Sequence, residues 1–184
     1  WPGKGGLMEK TIETLLPEIR LIQDDSLRAK TIEVWKEAIK QGGWHPEDLQ
    51  KIPFTLLIPG TKINLIDHVR AVTQCALRLA EVLTEFYSGE VKINRDILLA
   101  GALLHDVGKL LEISRQEDKF IKSRSGELLR HPFSGAALAA RFDLPLEIIH
   151  IIAGHSKEGD SWRRTVEGII IHHADFVNFD ILKA

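Results

Sequence analysis

The run Ile97-Leu98-Leu99-Ala100-Gly101-Ala102-Leu103-Leu104 is apolar or small at every position, and His105-Asp106-Val107-Gly108-Lys109 follows it directly. A helix over this run has no polar face, so other elements must surround it. The imidazole and carboxylate at its end are then carried into the interior, where each is costly unless something pairs with it. A divalent cation satisfies both, because it takes a neutral imidazole nitrogen and an ionised carboxylate together. One His-Asp pair arises easily by chance. The metal reading therefore requires other ligands that converge on it.

Composition sets the frame for those ligands. With 184 residues, 44% of them hydrophobic, the chain can bury one substantial core, as one domain or a domain with a helical extension. A net charge of −2 gives no basic footprint for nucleic acid and no cationic face for a membrane. Small anionic substrates stay open, since local clusters matter more for them than the total. Cys75 is the only cysteine, which rules out a disulfide framework and a thiolate cluster. Its apolar helical setting reads as an inert core position in a reducing compartment. No apolar run reaches the roughly 18 residues of a spanning helix, and no secretory signal is visible, so a cytoplasmic location is expected.

Three segments are expected. Residues 1–8 read as a flexible tail or an added remnant, with Met8 a plausible natural start. Residues 9–62 form N-terminal helices and a connector, in one compact unit with residues 63–184, the segment that carries the candidate ligands. An apolar helical pattern runs almost to Ala184, which leaves a flanking domain or a second copy open as a partner.

The periodicity predicts helices along most of the chain. Thr11 to Ile22 shows one apolar face, with Pro17 as an early break. Asp25 or Ser26 caps a second helix that Gly42-Gly43 ends. Trp44 to Lys62 is a proline-punctuated connector, in which Phe54–Ile58 reads equally as a short strand or a buried extended segment. Leu65 to Phe86 is a long helix, and the central helix is expected from Asn94 or Arg95 to about Ile113. Ser114 to Leu129 is charged and polar. His131-Pro132 opens a helix through Ala140, Leu146 to His155 forms another, and a last helix spans Trp162 to Leu182.

His68, His105, Asp106, His131, His155 and Asp175 each fall on or beside an apolar helical face, spread over five helices. His68 shares a face with Leu65 and Val72, and His155 with Ile148, Ile151 and Ile152. Asp175 lies among Ala174, Phe176 and Val177, where a carboxylate is seldom buried alone. His131 stands at a helix N-terminus, whose dipole keeps an imidazole neutral for a metal. Taken singly, each histidine reads as a satisfied core or capping residue, Asp175 as a partner of Arg163 or Arg164, and Lys109 as a solvated helix-end lysine. Jointly, that reading requires five helices to turn polar groups inward independently.

In the order His68, His105-Asp106, His131, His155, Asp175, with Gly108-Lys109 after the central pair, the chain resembles the HD-domain superfamily of metal-dependent phosphohydrolases. The resemblance runs from about Leu65 to Asp180. It implies an all-α helical bundle with an N-terminal helical extension, and a cytoplasmic enzyme that hydrolyses a phosphoester through metal-activated hydroxide. It further implies that His68, His105, Asp106 and Asp175 ligate a first divalent ion and that His131 and His155 ligate a second, with Asp106 between them. The ions would be Fe, Mn, Ni or Zn. Lys109 matches the lysine that contacts substrate phosphate, and Asp106 and Lys109 form the catalytic pair. The implied substrate is a small phosphorylated molecule, a nucleotide or a cyclic or oligonucleotide phosphodiester among them. Arg115, Lys119, Lys122, Arg124 and Arg130 are candidates for the substrate mouth.

Departures narrow the branch. Ser156 follows His155 where cyclic-dinucleotide hydrolases of the HD-GYP branch carry a second histidine, and the chain reads Lys157-Glu158-Gly159 without a Gly-Tyr-Pro motif. Asn64 stands where a third-metal glutamate would be. The same ligands serve a di-iron oxygenase in some relatives, and a nucleotide-binding sensor with a vestigial site is the non-enzymatic alternative.

Overall fold

Helix α1 (Lys4–Leu15) leads into a turn of 3-10 helix, Pro17–Leu21, with Pro17 ending α1 as its missing N–H requires. The computed structural model describes residues 4–184. The tail expected over residues 1–8 lies partly outside that range, and from Lys4 onward it is helical, with Met8 against the core. Helix α2 (Asp25–Gly42) is capped by Asp24, one residue before the expected cap, whose side chain accepts from the Leu27 N–H. Gly43, at a φ of 70°, ends it in the left-handed region.

The connector holds a 3-10 turn, Pro46–Asp48, and only an isolated bridge between Pro53 and Asn64. Phe54–Ile58 is therefore a non-strand segment, with Phe54 fully buried. Helix α3 (Leu65–Phe86) follows the predicted span, and Asn64 is its cap.

The central helix is shorter than expected. Helix α4 (Arg95–Leu104) stops before His105, and helix α5 (Lys109–Glu112) resumes after a tight turn. Ile113 does not end a helix but begins a hairpin, β1 (Ile113–Gln116) antiparallel to β2 (Lys119–Lys122), with Ile113 opposite Lys122. Helix α6 (Arg124–Leu128) follows, then α7 (His131–Ala140) and α8 (Leu146–Gly154). The last helix, α9 (Val166–Lys183), starts four residues after the predicted Trp162, because Thr165 supplies the cap by accepting from the Gly168 N–H.

Among the described residues the class is all-α with one small hairpin. Helix α4 is buried from Ile97 to Leu104 and packs against α2, α3, α8 and α9. The N-terminal helices join this core through α2, which also meets α5. Cys75 is half-buried against the core, and burial pushes its thiol up. Among the described residues no helix is long and apolar enough to cross a membrane.

Candidate metal centre

The break after Leu104 builds the site. The turn through His105-Asp106-Val107-Gly108 follows a 3-10 path, in which the Val107 N–H donates to the Leu104 carbonyl and the Lys109 N–H to the Asp106 carbonyl. The carbonyls left over at the end of α4 find other donors. The Trp35 indole N–H donates to the Leu103 carbonyl at 3.1 Å, and His105 Nδ1 lies 2.6 Å from the Ala102 carbonyl. Trp44 donates to the Leu110 carbonyl at 2.8 Å beyond the turn. The His105 ring is thereby fixed with Nδ1–H bonded and Nε2 bare, which is the tautomer a metal takes. His155 repeats the device at the end of α8, with Nδ1 2.8 Å from the Ile152 carbonyl.

The predicted ligands converge in two clusters. In the first, His68 Nε2 is 3.1 Å from Asp175 Oδ1 and 3.3 Å from Asp106 Oδ2, and His105 Nε2 is 3.4 and 3.9 Å from Asp106 Oδ2 and Asp175 Oδ1. In the second, His131 Nε2 and His155 Nε2 lie 3.1 and 3.6 Å from Asp106 Oδ1 and 3.3 Å from each other. Asp106 thus turns one oxygen to each cluster. Metal–nitrogen bonds of about 2.1 Å give tetrahedral edges of about 3.4 Å, the scale of these separations.

Chemistry of the donors fits a cation. His105 Nε2 is buried and makes no hydrogen bond, although it sits 3.4 Å from a carboxylate. Such an orphan is costly unless a metal or a proton takes its lone pair. Burial favours a neutral Asp106, but Lys109 and His105 outweigh it and hold the carboxyl well below its usual range. Asp175 is likewise lowered, the His68 hydrogen bond and the His105 charge overcoming burial. Burial depresses His155, whereas His105 is raised because the Asp106 and Asp175 carboxylates overcome its burial. A cluster that draws a proton onto its own histidine draws a divalent ion by the same field.

A cleft of about 440 Å³ opens over the donors. Lys109, Lys122, Arg130 and Lys157 give it positive charge, and Leu56, Phe176 and Phe179 give it an apolar wall. Of the basic residues expected at the mouth, Lys122 and Arg130 line it. Arg115 instead pairs with Asp48 and Asp118, Arg124 with Glu127, and Lys119 lies out on the hairpin, so these three answer to local charge and solvent. Arg164 does not pair with Asp175. It donates to the carbonyls of Gly154 and Ser156 and to Asp160, bracing the loop after His155. Lys157, Glu112, Phe176 and Phe179 join the cleft only through the fold, since nothing in their local sequence distinguishes them from solvent-facing or core residues.

A family model described as HD domain matches residues 65–178. The chain belongs to the HD domain family. It is 33% identical over 173 residues to a dihydroneopterin 2',3'-cyclic phosphate phosphodiesterase of Methanocaldococcus jannaschii, an alignment that covers 89% of this chain and 67% of the relative. No solved structure matches it. Family and relative together make this HD protein a phosphohydrolase, the activity expected from sequence. HD domains bind divalent metal ions, and both donor clusters are of a composition that holds them.

Proposed function

We propose that the chain hydrolyses a cyclic phosphodiester on a small ring-bearing molecule, with His68, His105, Asp106 and Asp175 holding one divalent ion and His131, His155 and Asp106 a second. The single observation that carries this reading is the orientation of Asp106, whose two oxygens face separate donor clusters at the floor of one cleft. Two ions held there would supply a hydroxide at neutral pH and a clamp for phosphoryl oxygens. The chain supplies the rest. Lys109, which both pairs with Asp106 and lines the cleft, offsets charge on the phosphate. Lys122, Arg130 and Lys157 draw an anion to the mouth, while Phe176 and Phe179 line a wall for the organic part of the substrate. In the reaction, water adds to phosphorus, one ring P–O bond breaks, and the freed oxygen leaves as a hydroxyl beside a phosphomonoester.

The cleft volume lies within the about 300–1,000 Å³ typical of small-ligand pockets. The relative's cyclic phosphate substrate supports the same class. The test is incubation of Mn²⁺- or Fe²⁺-loaded protein with guanosine 2',3'-cyclic phosphate and with dihydroneopterin 2',3'-cyclic phosphate. Conversion of at least one to its phosphomonoester, stopped by EDTA and restored by metal, is expected. Fully metal-loaded protein that opens neither ring overturns the proposal.

A further inference from the structure

Four buried histidines, His68, His105, His131 and His155, face Asp106, and two of them lock their rings against their own helices. His105 and His155 each place Nδ1 on the carbonyl three residues earlier, at the end of α4 and of α8. His131 makes no such bond: it is the first residue of α7, so no turn of its own helix precedes it. Its ring is held instead by a side chain from another helix. Glu112 Oε2, at the end of α5, lies 2.9 Å from His131 Nδ1 and also accepts the His131 backbone N–H at 2.5 Å.

We infer that Glu112 is a positioning residue for the second metal: it fixes His131 with Nδ1 protonated, so that Nε2 is presented bare to the space shared with Asp106 and His155. The carboxylate also makes the imidazole a stronger donor, as partners behind metal-bound histidines do. Glu112 itself is well placed for this role. A Cβ at Gly126 would collide with the Glu112 carbonyl, so that glycine admits the close packing of α6 on the end of α5. Arg130 brings its Nε to 3.9 Å from the same Glu112 oxygen and to 3.5 Å from Glu158, which keeps positive charge behind the carboxylate. No substrate-facing role is needed, since Glu112 works through the ring of His131.

The inference rests on the two-metal reading for its metal arm, but a second arm does not. In metal-free full-length protein, ¹⁵N–¹H NMR of the histidine rings should find a proton on His131 Nδ1, the nitrogen that faces Glu112. In Glu112→Ala that preference should be lost, and Glu112→Gln, whose amide oxygen still accepts from Nδ1–H, should restore it. Mn²⁺ titration by calorimetry should show one site weakened by about 10–100-fold in Glu112→Ala and the other unchanged. An Nε2–H tautomer in the wild type overturns the inference whether or not the alanine variant folds. Two unchanged Mn²⁺ affinities in a folded Glu112→Ala protein do so as well. A wild type that binds one Mn²⁺ and still shows Nδ1–H at His131 defeats the two-metal proposal and leaves Glu112 as the group that orients the ring.

Discussion

Lys109 stands between the donors and the cleft, with its ammonium 2.6 Å from Asp106 Oδ2 and 5.6 Å from the centre of the Phe54 ring. Both contacts hold the charge in place. If it offsets phosphoryl charge, Lys109→Ala should lower kcat/KM on a cyclic phosphate by about 10²-fold or more while metal content stays constant. Lys109→Arg should recover only part, because a planar fork does not replace a compact ammonium. Steady-state kinetics beside metal analysis checks this, and near-normal hydrolysis by the alanine variant would take Lys109 out of the mechanism. At this scale the sequence was legible where a polar group sat on an apolar face. His68, His131, His155 and Asp175 were conspicuous for that reason, and all of them reach the cluster. Glu112 was not conspicuous, because an acid at the end of a short helix looks the same whether it meets solvent or an imidazole. Its role depends on a contact 19 residues along the chain.

The interruption of the central helix was the main element-level difference between expectation and structure. Apolar spacing continues through Leu110 and Leu111, so pattern alone predicts one helix to Ile113. The break is stabilised from afar: Trp35 and Trp44 satisfy the Leu103 and Leu110 carbonyls across separations of 68 and 66 residues. Those tryptophans read from sequence as core apolar residues or connector, and nothing local reveals their hydrogen bonds. Gly108 is the other half of the device, since a Cβ there would collide with the His131 carbonyl and the Gly135 backbone where α5 meets α7. Gly108→Ala should therefore cost about 1–3 kcal/mol, as overpacking does, with backbone rather than a flexible side chain in the way. For a chain of this length that is a fall of about 2–10 °C in Tm. Differential scanning calorimetry tests it, and an unchanged Tm would mean that α5 and α7 separate freely. Asn64 illustrates the reverse case. Departing from the third-metal pattern, it has a local task in capping α3, where it accepts from the Asp67 N–H.

Across the whole molecule, α4 fixes the geometry because it is buried from Ile97 to Leu104 and packs on α3, α8 and α9, while α7 joins the site through α5 and α8. His68 comes from α3, Asp175 from α9, His131 from α7, and His105, Asp106 and His155 from the turns that end α4 and α8. The all-helical class could be read from periodicity, since that long apolar run has to be surrounded. The hairpin after Glu112 could not, because its strands are short and charged and are paired by a turn of only two residues. Asp106 turns one oxygen to each of two donor clusters, and the two-ion proposal depends on that division. Anomalous diffraction from crystals of the Mn²⁺-loaded protein tests it most directly. Two peaks about 3.5–4 Å apart are expected, one beside Asp106 Oδ2 among His68, His105 and Asp175, the other beside Oδ1 between His131 and His155. A single peak with His131 and His155 turned away from it, or Mn²⁺ bound elsewhere on the chain, would overturn the two-ion proposal.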